Sequence, residues 1–303
     1  MRSAIAGGSG IIGQEVMKLW VENGQTTVSI DQTSAGHEHT STLETRTVDL
    51  AKSYKDTLKA FQGCDAVIHL AAIPRRGGHP DWEVHANNVR AAFNGFRACG
   101  EVGIKKICYA SSVNATDFVY SNKSLEAELQ AQAFANWLPG TKITCLRVHQ
   151  VKPKNDVVEH HGRDFEGAGL KNLWGWVNPK AVARVCLLSV ERSDAFDGCE
   201  IFNIVAPDTT TEIPSGELMK KYFSYTEIYG DFASNQACCS TDKAERILGW
   251  KRVFFQLSKT PLPKFASEGP VLFPSLNQII HHWSCCLVFM SREIVALESR
   301  MRG

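Results

Sequence analysis

Ser111, Ser112, Tyr120 and Lys123 stand together in the stretch "SSVNATDFVYSNK". A serine hydroxyl, a phenol and an ammonium can together run a hydride-transfer reaction on a substrate hydroxyl. The phenol needs help to ionise at neutral pH, since its ordinary pKa is about 10, and a nearby lysine ammonium supplies that help. Ser112 closes an apolar run and so falls at a strand end, with Ser111 behind it; the plainer alternative is a strand-end serine that caps the backbone. Tyr109 and His149 are other titratable side chains nearby, and both read as core or strand surface rather than as substitute bases.

A second set of residues supplies what such a reaction needs to hold. "IAGGSGIIGQEV" places Gly7, Gly10 and Gly13 directly after an expected strand and at the opening of an expected helix. Glycines there let the chain turn tightly and let backbone N–H groups approach a pyrophosphate, whose charge a helix N-terminus favours. The last of them allows close helix–strand packing. Ile11 and Ile12, between Gly10 and Gly13, complete this cofactor-binding turn. The following strand, "TTVSID", ends in Asp31, whose carboxylate can accept hydrogen bonds from an adenosine ribose and repels the 2′-phosphate of NADP. No arginine follows at Gln32, Thr33 or Ser34 to receive that phosphate, so NAD is preferred over NADP.

The elements that must position these groups are legible as alternation. Strands are expected at Ser3–Ala6, Thr26–Ile30, Arg46–Val48, Ala66–Leu70, Lys106–Ala110 and Lys142–Val148. Between them, Ile12, Val16, Leu19 and Trp20 share one helical face, and Val89, Ala92, Phe93 and Phe96 another. This pattern argues for the α/β class with a doubly wound parallel sheet of Rossmann type, followed by a smaller C-terminal substrate-binding part. The expected division is a nucleotide domain over 1–151, substrate-side segments over 152–251 and an atypical tail over 252–303. In the middle part a helix is expected from Pro179, a strand in "CEIFNIVAPDTTT" and a short helix stopped at Gly249.

The 303 residues carry a formal net charge of +1, which gives no reason to expect nucleic acid or an anionic membrane as partner. The N-terminus lacks the long apolar core of a signal peptide, and the most apolar part of the tail, Trp283–Met290, is far short of a membrane span. The ten cysteines include no CxxC pair. Cys64, Cys108, Cys145 and Cys186 read as small buried hydrophobes, so a reducing, cytoplasmic setting is expected. His281, His282, Cys285 and Cys286 form two adjacent pairs that cannot readily wrap one ion, so no metal site is expected.

The spacing Gly7-x-x-Gly10-x-x-Gly13 resembles that of the extended short-chain dehydrogenase/reductases, which include NAD-dependent epimerases and dehydratases. Further motifs follow in the same order over about 1–251: "VDLAK", "AVIHLAAIP", "NVRAAFN", "KKICYASS", "KITCLRVHQV" and "STDKAERILGWK". The resemblance implies that Asp49 and Leu50 contact adenine and that Leu70, Ala71 and Ala72 lie beside the cofactor, with Asn88 in the following helix. It implies that Ser112 hydrogen-bonds the reacting oxygen, Tyr120 is the acid/base, and Lys123 holds the nicotinamide ribose. The implied substrate is a small molecule with a sugar-like or polyol hydroxyl, and the family's paired helices make a homodimer the natural assembly. Two readings without turnover stand beside this one: a protein that only binds NAD, and a redox-sensing regulator of the NmrA type, which keeps the nucleotide fold and drops the tyrosine.

The family pairs tyrosine with lysine four residues later, whereas Tyr120 and Lys123 are three apart. On a helix, four residues leave two side chains ~40° apart and three leave them ~60° apart the other way, which turns the lysine by ~100°. The family also sets a longer spacer between serine and tyrosine than the eight positions from Ser112 to Tyr120. An economical account is that "VYSNK" belongs to the preceding loop and that a segment holding the family's tyrosine and lysine is absent. Loss of such a base costs roughly 10²–10⁴ in rate. The family-like pattern also stops after Trp250-Lys251. An altered splice pattern or a faulty gene model would account for both departures, and a sequenced transcript whose reading frame runs unbroken through Lys123–Ser124 and Lys251–Arg252 would refute this.

Overall fold

The seven strands of the main sheet are all parallel, in the order β3-β2-β1-β4-β5-β6-β9. They are β1 (Arg2–Ala6), β2 (Thr26–Asp31), β3 (Leu43–Thr47), β4 (Ala66–His69), β5 (Lys106–Ser112), β6 (Lys142–Val148) and β9 (Cys199–Ile204). This computed structural model describes residues 1–33, 42–74, 78–116, 123–153, 168–224 and 232–251, which lie within one compact unit, Met1–Ser258. The expected tail over 252–303 is outside them. The expected third strand at Arg46–Val48 starts earlier, at Leu43, because Glu44 and Arg46 project from an edge strand and their polarity masks its period.

Helices cover both faces of the sheet. Helices α2 (Tyr54–Phe61), α3 (Asp81–Val102) and α4 (Lys123–Trp137) pack on one side, where Phe61, Phe96 and Phe134 meet Val28, Val67, Ile107 and Ile143. On the other side lie α1 (Ile11–Glu22), α6 (Pro179–Glu191) and α8 (Asp242–Leu248). There Val16, Trp20, Val182 and Leu187 bury Ile5, Ile68, Leu146 and Phe202. Adjacent residues of a strand enter opposite cores, Ile5 one and Ala4 and Ala6 the other, as the two-residue period of a strand requires. Strands buried on both sides must be apolar almost throughout, which is why the central ones read as short continuous runs.

Local chemistry sets the helix ends. Ser53 caps α2 by accepting the Asp56 N–H at 3.3 Å, and donates its hydroxyl to the Asp56 carboxylate at 2.6 Å. Asn178 caps α6 through Lys180 N–H at 2.9 Å, with Pro179 in the first turn as expected. Gly249 ends α8 at φ +70°. The indole of Trp250 then donates to Ala181 O at 3.0 Å and ties this last segment to α6. Between β6 and β9 lie β7 (Gln150–Val151), α5 (Ala168–Lys171) and β8 (Trp176–Val177), with β7 and β8 paired as a separate parallel ribbon. After β9, α7 (Ser215–Tyr222) precedes α8.

Two histidines are buried in this frame. His69, at the end of β4, is 1% exposed and its Nε2 lies 3.0 Å from Ala91 O. His149 follows β6 and is 4% exposed, with its ring against Gly175. Burial lowers the pKa of both, that of His149 to about 4, with the Asn172 backbone opposing the fall. The folded chain therefore holds these rings neutral while the unfolded chain protonates them below its ordinary value near 6.5. Stability is complete above that pH and is lost as pH falls from about 6.5 towards 4, by roughly 3 kcal/mol for His149. Urea unfolding between pH 7.5 and 4.5 should show this loss, and His149→Gln should flatten it; an identical pH profile in the variant refutes the assignment.

Candidate nucleotide and active site

Because every strand of the sheet is parallel, the carboxyl ends lie along one edge. The order reverses between β1 and β4, where a crevice opens. The glycine turn enters that crevice. Gly7 takes φ +86°, donates to Ile30 O at 2.8 Å, and passes so close to β4 that a Cβ on it would lie 2.8 Å from Leu70 C and from Ala71 N. A Cβ on Gly13 would lie 2.2 Å from Gly7 O and 2.7 Å from Gly8 Cα, so the first turn of α1 packs directly on the loop. Gly10 is under less constraint, with its nearest neighbour, Gly7 O, 3.3 Å from such a Cβ.

Helix α1 therefore starts with its N-terminus facing the crevice. Gly10 offers no capping side chain, and no acidic residue stands in the first turn. The first N–H groups of a helix have no acceptor within it and, with the helix dipole, suit an anion. Ile11 is 63% exposed at this opening, while Ile12 is half-buried against the core. The cradle and these free donors fit a dinucleotide pyrophosphate. Asp31 closes the other side: its Oδ2 accepts Ser9 N–H at 3.0 Å and its Oδ1 accepts Gln32 N–H at 2.8 Å. Sequence reasoning assigned Asp31 to a ribose and missed that the same carboxylate holds the glycine loop.

The other expected cofactor residues line the same edge with separate duties. Asp49, just past β3, accepts Ala51 N–H at 3.0 Å and Lys52 N–H at 3.2 Å and pairs with Lys52 Nζ at 3.0 Å. The Leu50 side chain is 3% exposed and packed in the core, while its carbonyl accepts Asn94 Nδ2 at 2.6 Å. Leu70 continues the β1–β4 ladder by donating to Ala6 O at 2.8 Å. Leu70 and Ala71 are half-buried and Ala72 is exposed. Asn88 grips Ile73 with both ends of its amide: Oδ1 accepts Ile73 N–H at 2.8 Å, and Asn87 Nδ2 as well at 3.1 Å, while Nδ2 donates to Ile73 O at 3.1 Å. It thus holds the loop that leaves β4.

At the end of β5 the two serines part company. The Ser112 Oγ accepts Asn114 N–H at 3.2 Å, opening the short 3-10 turn Val113–Thr116. Ser111 is 6% exposed and donates to Glu128 Oε1 at 2.5 Å. Glu128, on α4, is wholly buried and receives Arg147 of β6 through Nε at 3.0 Å and Nη2 at 2.7 Å. Neither Glu128 nor Arg147 was expected from the sequence, although an arginine inside the apolar run "KITCLRV" signals a buried partner. Lys123 opens α4. Tyr120 and the Lys123 side chain lie outside the described residues. Tyr109 is 7% exposed against His69 and Phe96, and burial pushes its phenol well above the ordinary value, with Cys145 and Glu128 adding to the rise. Neither Tyr109 nor the neutral His149 is poised to take a proton from an alcohol. Among the described residues no cluster of three or more histidine, cysteine or acidic groups is arranged to hold a metal.

No curated protein matches the chain in sequence. Solved structures match it in fold. A UDP-N-acetylglucosamine 4-epimerase from Bacillus cereus aligns at TM-score 0.59 and 20% identity, over 84% of this chain and 94% of its own. A UDP-glucose 4-epimerase from Thermotoga maritima, solved with UDP-glucose, aligns at 0.61 and 20% identity, over 83% and 94%. A short-chain dehydrogenase/reductase superfamily protein from Agrobacterium tumefaciens with bound NAD aligns at 0.63 and 15% identity, over 84% and 93%. At such identities the likeness is one of fold. The model of the NAD dependent epimerase/dehydratase family matches residues 4–131, from the strand before the glycine turn into α4, and this is the family that the chain resembles.

Proposed function

We propose that the chain binds NAD in the β1/β4 crevice and acts as an oxidoreductase or epimerase on a hydroxyl of a sugar-like or polyol substrate. The observation that carries this reading is the glycine cradle, in which Gly7 and Gly13 leave no room for a side chain beside the open N-terminus of α1. NAD, when bound, would supply a hydride acceptor. The α1 N–H groups and the loop hold its pyrophosphate, and Asp31 receives ribose hydroxyls while repelling a 2′-phosphate. Ser112 orients the reacting oxygen at the end of β5, and Tyr120 and Lys123 take the roles of proton acceptor and cationic partner. Epimerases of UDP-sugars among the structural neighbours support a sugar, in particular a nucleotide sugar, as substrate.

A reading without turnover, as a NAD-binding protein or a regulator of the NmrA type, is favoured by one feature. Helix α4 already opens at Lys123, leaving little chain between Ser112 and the helix to carry a family-like tyrosine and lysine. Calorimetry and nicotinamide reduction against UDP-sugars, free sugars and polyols separate the two. NAD should bind at least tenfold more tightly than NADP. Turnover that disappears in Tyr120→Phe supports the enzyme; binding without turnover supports the second reading, and no binding counts against both.

The cradle gives a sharper test. Gly13→Ala must displace the Gly7 carbonyl and should cost roughly 1–3 kcal/mol of stability along with most of the NAD affinity. Gly10→Ala should leave stability close to that of the wild-type chain. Equal losses in the two variants, measured by urea unfolding and NAD titration, would contradict the proposed close packing.

A further inference from the structure

We infer that Glu128 is a positioning residue of the candidate site, locking the end of β5 against α4 through Ser111 and Arg147. The inference rests on the NAD-dependent reading above. One carboxylate joins three elements here: Ser111 closes on it from β5, Arg147 from β6, and Glu128 itself belongs to α4. Ser111 and Arg147 are register partners on neighbouring strands, so the contacts converge at the carboxyl edge where the crevice lies. Arg147 approaches with two nitrogens, Nε and Nη2, spread over both carboxylate oxygens. Such a fork fixes direction as well as distance.

Stability alone gives no reason for this arrangement. A buried ion pair is commonly matched or bettered by apolar residues of similar size, because both charges must leave water. What apolar side chains cannot reproduce is the fixed orientation of three elements about one group. Ser112 follows Ser111 directly and points to the opposite face of the strand, so the clamp sets the place of the candidate hydroxyl. Lys123 opens the same helix that Glu128 holds. A dinucleotide with its adenosine at Asp31 crosses the crevice and brings its nicotinamide half towards β5. Loosening the clamp is therefore felt at the nicotinamide end and spares the adenosine end.

Two variants of the full chain test this, with ADP-ribose and NADH as probes. Glu128→Gln keeps the shape and removes the charge. The double variant Glu128→Leu/Arg147→Met removes both buried charges together and should melt at or above the wild-type temperature. Both should bind ADP-ribose like the wild-type chain, yet lose the altered nicotinamide fluorescence of bound NADH. With a turnover substrate, kcat should fall roughly 10²-fold at unchanged KM for NAD. A double variant that melts normally and still shows the wild-type nicotinamide signal and kcat overturns the inference, since stability would then be all that the clamp supplied. Wild-type protein that binds NADH without turnover refutes the enzyme reading alone, and the fluorescence then decides the role of Glu128. Wild-type protein that binds neither probe overturns both.

Discussion

The structure turns on one backbone contact, where the chain leaving β1 passes the chain leaving β4 at Gly7. No side chain fits between Gly7 and the Leu70–Ala71 peptide, and the positive φ of Gly7 sends the chain back towards the sheet. Because the two strands come this close, α1 can start directly above the crevice. The Gly13 contact with Gly7 O then fixes how far the helix rises from it. Two side chains stabilise the result from either flank. Asp31 takes the Ser9 amide at the end of β2, and Asn88 takes both polar groups of Ile73 beyond β4. Both use polar groups to hold backbone that no regular ladder can satisfy at a sheet edge.

The same economy governs the far side of the crevice. Ser111 and Ser112 are neighbours in sequence, but the pleat of β5 sends them to opposite faces. One faces the layer of α3 and α4 and is consumed by Glu128; the other stays at the strand end against the turn it caps. Packing in that layer is aromatic and close, with Phe96 set between Tyr109 and Phe134 at centroid distances of 5.4 and 5.9 Å. A polar group entering it must bring its own partner, which is the physical reason for Glu128 and Arg147 to occur together. His69 is admitted on similar terms. Gly95 leaves space for its ring, since a Cβ there would lie 2.5 Å away, and Ala91 O meets its Nε2.

What was legible in the sequence follows from whether a residue acts through its neighbours in the chain. The glycine turn, the Asp31 strand end, the start of α6 at Pro179 and the stop of α8 at Gly249 are local events, and the residue types alone announce them. Leu50 is different. Its position in "VDLAK" suggested an adenine contact, while its side chain belongs to the core and its carbonyl to Asn94, a partner 44 positions away. Asn88 is another such case, because an asparagine in a helix does not reveal which backbone it clamps. Glu128 was hidden by Glu126, two residues earlier: one is buried and the other meets His85 of α3 at 3.4 Å, and no periodicity separates them.

The connection between β5 and α4, residues 113–122, shows why fold and chemistry separate so readily here. Strand-to-helix connections in α/β proteins need only about 2–6 residues, and a longer one adds chain at the carboxyl edge without changing the layers. Helix α4 keeps its place on the sheet through Ala127, Ala131 and Phe134 and through the carboxylate of Glu128, all of which follow its first residue, Lys123. None of these contacts depends on the length of the preceding loop. A chain that gained or lost residues between Thr116 and Lys123 would bury the same core, pair the same strands and present the same glycine cradle. On the proposed reading, only the proton acceptor supplied between β5 and α4 would feel the change, so the requirement for it is set by reach and direction rather than by stability.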